Sequence, residues 1–197
     1  MIENVLKNLV YTFYPKNISF EKEREKYIAS TEYTNLATIL NKFEKEYKEV
    51  FSKKILSEFQ NDYTLKNFQD FTLFNYGDKC MTFNFTYIEN GQLYTVSLLI
   101  SVIIPYYAIK VQKNIIELFH SENRIAEIEK ANNEVRTLKE IIIDLEQIVE
   151  SRFLYNKFPN EMLNIIVDDI CFQEAGFGYF KLFNAFFNNL IMNENEK

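Results

Sequence analysis

The sequence predicts an α+β fold: an antiparallel β-meander of about three to four strands over residues 68–113, packed on one face by N- and C-terminal helices. Three observations predict it. Asn90-Gly91 stands between two segments that alternate apolar and polar residues, the strongest short-range signal for a two-residue hairpin. Helical spacing of apolar residues dominates before residue 62 and again from about residue 122. The chain also holds only 4 Gly and 3 Pro in 197 residues, which favours long regular elements over elaborate loops. No repeat, low-complexity block or linker divides it, so residues 1–197 are read as one domain: 1–62 helical, 68–113 sheet, 115–191 helical.

In the N-terminal part a first short helix breaks at Tyr14-Pro15, because a residue before proline is pushed out of the helical region. Glu21 to Ile28 has the charge density of an exposed helix. Leu36, Ile39, Leu40, Phe43, Tyr47, Val50 and Phe51 then recur at helical spacing, with alternating Lys and Glu on the opposite side, and predict one continuous amphipathic helix.

The sheet follows from the turn. If Glu89 pairs with Gln92, Tyr87 opposes Tyr94, Phe85 opposes Val96, Phe83 opposes Leu98 and Met81 opposes Ile100. One face is then continuously apolar, and Thr82, Asn84, Thr86, Thr95, Ser97 and Ser101 line the other. A slip of one residue would invert both faces, so the register is strongly specified. Gly77-Asp78 is read as a turn from a preceding strand at residues 71–76, and Pro105 as the end or bend of the long strand, with residues 106–111 continuing at an edge.

In the last third, Ile128, Val135, Ile142 and Val149 repeat every seven residues, with Ala131, Leu138 and Leu145 between them. Ile141, Ile143 and Ile148 widen this stripe, so the expected role is a helix packed on the sheet; a homodimer seam through residues 128–149 is the alternative. Asn132-Asn133 is a candidate cap splitting the segment. Pro159 is expected to start a short helix over residues 162–167, and a final helix over 179–191, apolar nearly all round, must be buried.

Composition narrows the function. The chain is acidic, with 22 Lys and Arg against 28 Asp and Glu, and carries no basic run with interleaved aromatics; nucleic acid is therefore not the expected partner. The uncharged stretch 92–109 is punctuated by Thr95, Ser97, Ser101 and Pro105, as a buried strand would be, so no membrane association is expected. Glu3 and Lys7 interrupt the opening segment, which looks like a surface helix and not a signal peptide. Cys80 and Cys171 lie far apart and form no CxxC pair, which suits two core thiols in a reducing cytoplasm.

Chemistry is scarce. His120 is the single histidine, which removes mechanisms needing two and leaves His120-Ser121-Glu122 short of a metal-ligand set. Neither cysteine is placed for activation: Cys80 starts a strand, and Cys171 follows an acidic pair that disfavours the thiolate. Gly176-Phe177-Gly178 lacks the third glycine of a phosphate loop. No catalytic residue, metal or cofactor is expected. What remains is an acidic segment, residues 158–180, without one Lys or Arg. Glu161, Asp168, Asp169, Glu174 and Tyr179 are its candidate partner-binding residues; the plainer reading is a solvated loop in which Asp caps a helix, and a divalent-cation or acid/base site, which would need a cleft, is the third. Tyr87, Tyr94, Tyr106 and Tyr107 are further aromatics that exposure would make anchors.

Two functions remain open at this level. One is a non-catalytic protein-binding domain with the general profile of a bacterial immunity or inhibitor protein, its acidic surface covering a basic protein partner; the likeness is compositional and rests on no motif. The other is a small-molecule-binding or enzymatic domain with a pocket between sheet and helices, lined by Thr82, Thr86, Thr95 and Ser97.

Overall fold

Helix α1 (Ile2–Phe13) buries Leu6, Val10 and Phe13 on one side and stops at Tyr14-Pro15, where the sequence places the break. The computed structural model describes residues 2–62, 68–74, 77–114 and 137–188. Helix α2 (Arg24–Ile28) is short and keeps its charges in solvent while Tyr27 is buried. Helix α3 (Thr31–Glu46) opens on Ser30, whose side chain accepts the Tyr33 N–H and so satisfies one of the free donors of the first turn.

The expected continuous helix through Phe51 is in fact two. The chain leaves helical geometry at Tyr47 (φ −123°, ψ −27°), and α4 (Lys48–Asp62) follows. The reason lies in the packing. Leu36 on α3 belongs to one apolar cluster and Ile55 and Phe59 on α4 to another; Leu40 and Phe43 near the end of α3 already pack on the second, and α4 continues on it past the elbow. Tyr47 and Val50, which the spacing assigns to the buried stripe, stand at the elbow instead, Val50 71% exposed.

The sheet has five strands in the order β1 (Gln69–Asp70), β2 (Cys80–Glu89), β3 (Gln92–Ser101), β4 (Tyr106–Asn114) and β5 (Asn156–Lys157). The first four run antiparallel, and β5 adds parallel beside Tyr106 and Tyr107. The hairpin register is the predicted one, from Glu89↔Gln92 through Phe85↔Val96 to Cys80↔Ser101. Asn90 (φ 52°) and Gly91 (φ 69°) both take the left-handed conformation that a type I′ turn requires. Gly77 turns the chain as expected, but the strand placed at residues 71–76 is displaced to Gln69–Asp70. Side chains end the ladder there: the Thr72 N–H donates to Asp70 Oδ1, and the Thr82 N–H donates to Thr72 Oγ1.

Met81, Phe83, Phe85, Val96, Leu98 and Ile100 cover one face of the sheet and pack on Ile55 and Phe59 of α4. The same cluster takes in helix α5 (Leu138–Arg152), which opens on a capping box between Thr137 and Glu140. Leu138, Leu145 and Val149, three positions of the proposed dimer seam, are buried in this core, so that part of the stripe serves the sheet. The rest of the seam, with Asn132-Asn133 and His120, lies outside the described residues.

The hydroxyl face has its own cover at one end. Cys80, Leu99 and Ala108 join a second cluster with Leu6 and Val10 of α1 and with the C-terminal segment; Thr82, Ser97 and Ser101 are buried, and Thr86 at the far end is exposed. Pro159 starts one 3₁₀ turn (Asn160–Met162) and not a helix through residue 167. Helix α6 (Leu182–Phe186) buries Leu182, Phe183, Ala185 and Phe186, with Asn184 half-buried, and begins three residues later than expected. Among the described residues no helix is long and apolar enough to cross a membrane.

Candidate functional site

The acidic segment folds into a narrow two-stranded ribbon. Leu182 N–H donates to Ile165 O at 2.9 Å, Val167 N–H to Phe180 O at 2.8 Å and Gly178 N–H to Asp168 O at 3.1 Å. Successive side chains in such a ladder point to opposite faces. Val167, Phe180 and Leu182 go inward to the second cluster, while Ile166, Asp168 and Tyr179 go outward. Tyr179 is 77% exposed, Ile166 40%, and Phe177 in the adjoining turn 43%. Gly178 at φ 77° permits that turn, and the Tyr179 N–H closes it onto Gly176 O. At the other end Phe172 and Ala175 exchange both backbone hydrogen bonds around Gln173 (φ 51°) and Glu174, leaving Glu174 exposed at the tip.

The five candidate residues therefore part company. Asp168, Glu174 and Tyr179 are all exposed on the ribbon, Glu174 at its far tip. Glu161 is exposed too, but on the separate 3₁₀ turn. Asp169 is engaged within the molecule. It accepts the Tyr11 hydroxyl at 2.9 Å and lies 3.9 Å from Lys16 Nζ, and its carbonyl takes the Asn17 N–H. Lys16 in turn sits 3.4 Å above the Tyr11 ring. Partial burial and then the Asp169 carboxylate push the Tyr11 hydroxyl above its ordinary pKa. Neither aspartate caps a helix: Asp168 uses its backbone carbonyl to close the ribbon.

The ribbon is held from behind. Tyr14 packs its ring 5.2 Å from Phe172 and 5.0 Å from Phe180, and its hydroxyl donates to Ala185 O. Lys79 is buried, with Nζ 5.0 Å from the Phe172 ring centroid, and its backbone N–H donates to Phe187 O. Burial pulls its ammonium down to about 8, against the opposing pull of Cys80 and Asp78. Gly77, at φ 89°, leaves no room for a Cβ beside the Gln173 amide, so this position joins sheet and ribbon through a glycine.

Nothing here prepares a nucleophile. Burial pushes the Cys80 thiol up to about 12, and Cys171 is buried against Ser19 Oγ at 3.7 Å. Among the described residues no group of three or more His, Cys, Asp or Glu side chains is arranged to hold a metal ion. A surface groove of about 330 Å³ lies between α4 and β1, lined by Glu44, Lys48, Glu49, Ser52, Lys53 and Asp70. Several of its polar groups are engaged: Ser52 donates to Asp70 at 2.6 Å, Lys53 pairs with Glu49 at 2.6 Å, and Lys48 reaches Thr72 O outside the groove.

Of the other aromatic candidates, Tyr87 and Tyr107 are buried and Tyr94 and Tyr106 are half-buried. Ile166 and Phe177 escaped the sequence reading. Their signal was there, a two-residue alternation across Ile166, Val167 and Asp168, but three residues are too few to separate a strand from a turn. No protein-family model, no curated protein and no solved structure matches the chain.

Proposed function

We propose that the chain is a non-catalytic protein-binding domain that covers a basic protein partner with the outward face of ribbon 165–182, as a small inhibitor or immunity-type protein would. The observation that carries this reading is Tyr179, a large aromatic 77% exposed on a hydrogen-bonded ribbon beside exposed Asp168, with Ile166 and Phe177 also in solvent. Exposed apolar side chains rimmed by charge are a common form of protein docking site, and aromatic anchors carry much of the binding energy at such sites. A net charge of −6 steers basic proteins toward the domain. The two buried free thiols suit a cytoplasmic setting. The row that a small-molecule pocket would use is largely committed: Thr82 and Ser97 are buried, and Thr95 accepts from Asn114 at 2.7 Å.

The test places a photo-crosslinking amino acid at Phe177 in the source cell. A discrete adduct with one Lys- and Arg-rich protein is expected, with loss of the adduct in the Asp168→Lys, Glu174→Lys variant. Binding of the purified partner should weaken as salt rises. Adducts indifferent to the charge reversal, or none at all, would overturn the proposal.

A further inference from the structure

We propose that Asn90-Gly91 is a guarded modification site. The closed turn keeps the Gly91 nitrogen from attacking the Asn90 side chain; opening of the hairpin end commits the site to isoaspartate, which releases the first turn of α5 from Glu89. This inference is independent of the protein-binding reading and uses different residues.

An asparagine followed by glycine closes a five-membered ring on its own backbone. The Gly91 amide gives its proton to solvent base, the nitrogen attacks Asn90 Cγ, and the new C–N bond expels Nδ2 as ammonia. One water then opens the cyclic imide. Attack at the side-chain carbonyl carbon yields aspartate; attack at the main-chain carbonyl carbon yields isoaspartate, whose chain runs through Cβ and Cγ. Glycine bares this nitrogen because it carries no Cβ, and both residues are exposed at the hairpin tip.

Ring closure needs the Gly91 nitrogen eclipsed with Asn90 Cβ about the Cα–C bond, and the turn holds it elsewhere. Asn90 at φ 52° and Gly91 at φ 69° close the hairpin on Glu89↔Gln92, and the first central residue of a type I′ turn has a ψ of about +30°. For an L-residue this ψ sets the nitrogen about 150° from Cβ, nearly opposite the side chain. The rotation that would eclipse them breaks the Glu89–Gln92 closure. One dipeptide thus builds the turn and carries the reaction that destroys it, and folding keeps the two apart.

The consequence reaches α5. Glu89 Oε1 accepts the Leu138 N–H at 3.0 Å, one of the donors left over at a helix start, beside the Thr137–Glu140 capping box. Isoaspartate puts one extra main-chain carbon into a two-residue turn, so the strands cannot close on the same register and Glu89 leaves its place. Aspartate adds only charge, since Asp-Gly suits a type I′ turn as Asn-Gly does.

The test compares conversion of the folded full chain with that of the chain in urea, in one mildly alkaline buffer. Mass spectrometry of the peptide containing residue 90 reads the exchange of amide for acid, and chromatography separates isoaspartate from aspartate. Conversion should be at least tenfold slower in the folded chain. Ile88→Ala, which removes buried support from the hairpin end, should raise the folded rate at least threefold and leave the rate in urea unchanged. Equal rates folded and in urea, no conversion in either, or a folded rate indifferent to Ile88→Ala would overturn the guarded site. In the purified isoaspartate form the Leu138 amide should exchange hydrogen at least threefold faster, whereas Asn90→Asp should leave it unchanged. An undisturbed Leu138 amide in the isoaspartate form would overturn the link to α5.

Discussion

The β2–β3 hairpin and the 165–182 ribbon are both two-stranded, yet they are made in opposite ways. The hairpin pairs ten residues with ten, turns on a dipeptide whose backbone preference matches the turn, and separates an oily face from a hydroxyl face along its whole length. The ribbon closes a handful of backbone hydrogen bonds and takes its shape from elsewhere: Asn17 and Tyr14 from the N-terminal part, Gly77 and Lys79 from the sheet, and a second aromatic cluster beneath. A local code builds the first; the rest of the molecule holds the second in place. The candidate docking surface sits on the second, as expected where a rigid scaffold positions an irregular segment for binding.

The strongest test of the contrast is within the hairpin. Phe85 is buried beside Phe68, with ring centroids 6.1 Å apart, so Phe85→Ser should cost about 4 kcal/mol through lost burial and a stranded hydroxyl. Neighbouring Thr86 is exposed, and Thr86→Ser should stay within about 1 kcal/mol of neutral. Urea denaturation of both variants measures this, and similar losses would mean that the two faces are not distinct.

The next test concerns the lysine that links the two regions. Lys79 has its folded pKa lowered to about 8, so above that pH the folded protein releases a proton that the unfolded chain keeps up to about 10.4. Stability from this group therefore rises with pH between those values, by at most about 1.4 kcal/mol per pH unit. Cys80 opposes it. Its folded pKa is raised to about 12, so the unfolded thiol ionises first and stability falls above about 8.5. In a Cys80→Ser background the rise should be open from pH 8 towards 10, where buried Tyr14 and Tyr27, both with raised pKa, begin to reverse it. Adding Lys79→Met should flatten the profile. Chemical denaturation across this range decides, and a profile unchanged by Lys79→Met would detach the ribbon's brace from that ammonium.

The smallest effect separates the paired aspartates. Asp169→Asn removes the charge that Lys16 and the Tyr11 hydroxyl share, and should cost about 1 kcal/mol for a hydrogen bond in a part-exposed setting. Asp168→Asn should change stability by less than about 0.5 kcal/mol. If thermal melts showed equal losses, the two aspartates would not differ as their contacts imply.

How much of this was legible beforehand depends on the range of the forces involved. The hairpin register follows from Asn90-Gly91 and a period of two. The break at Pro15 and the turn at Gly77 follow from backbone preference alone. Those are short-range effects, and the residues that cause them are neighbours in the chain. The same local rules misjudged the elbow at Tyr47, because the two clusters packed on either side of it are invisible to local spacing. They also grouped Asp168 with Asp169. As adjacent carboxylates the two are chemically alike, and only Tyr11 and Lys16, about 150 residues away along the chain, tell them apart.

By itself, then, the sequence determined the fold class, the pairing of β2 with β3 and the acidic, aromatic character of the segment 158–180. Only the tertiary structure decided which of those acidic and aromatic side chains face solvent together. Pairing and turns are set by backbone geometry between near neighbours. Exposure is set by what the rest of the chain brings alongside, and in the ribbon that means α1, the sheet and α6.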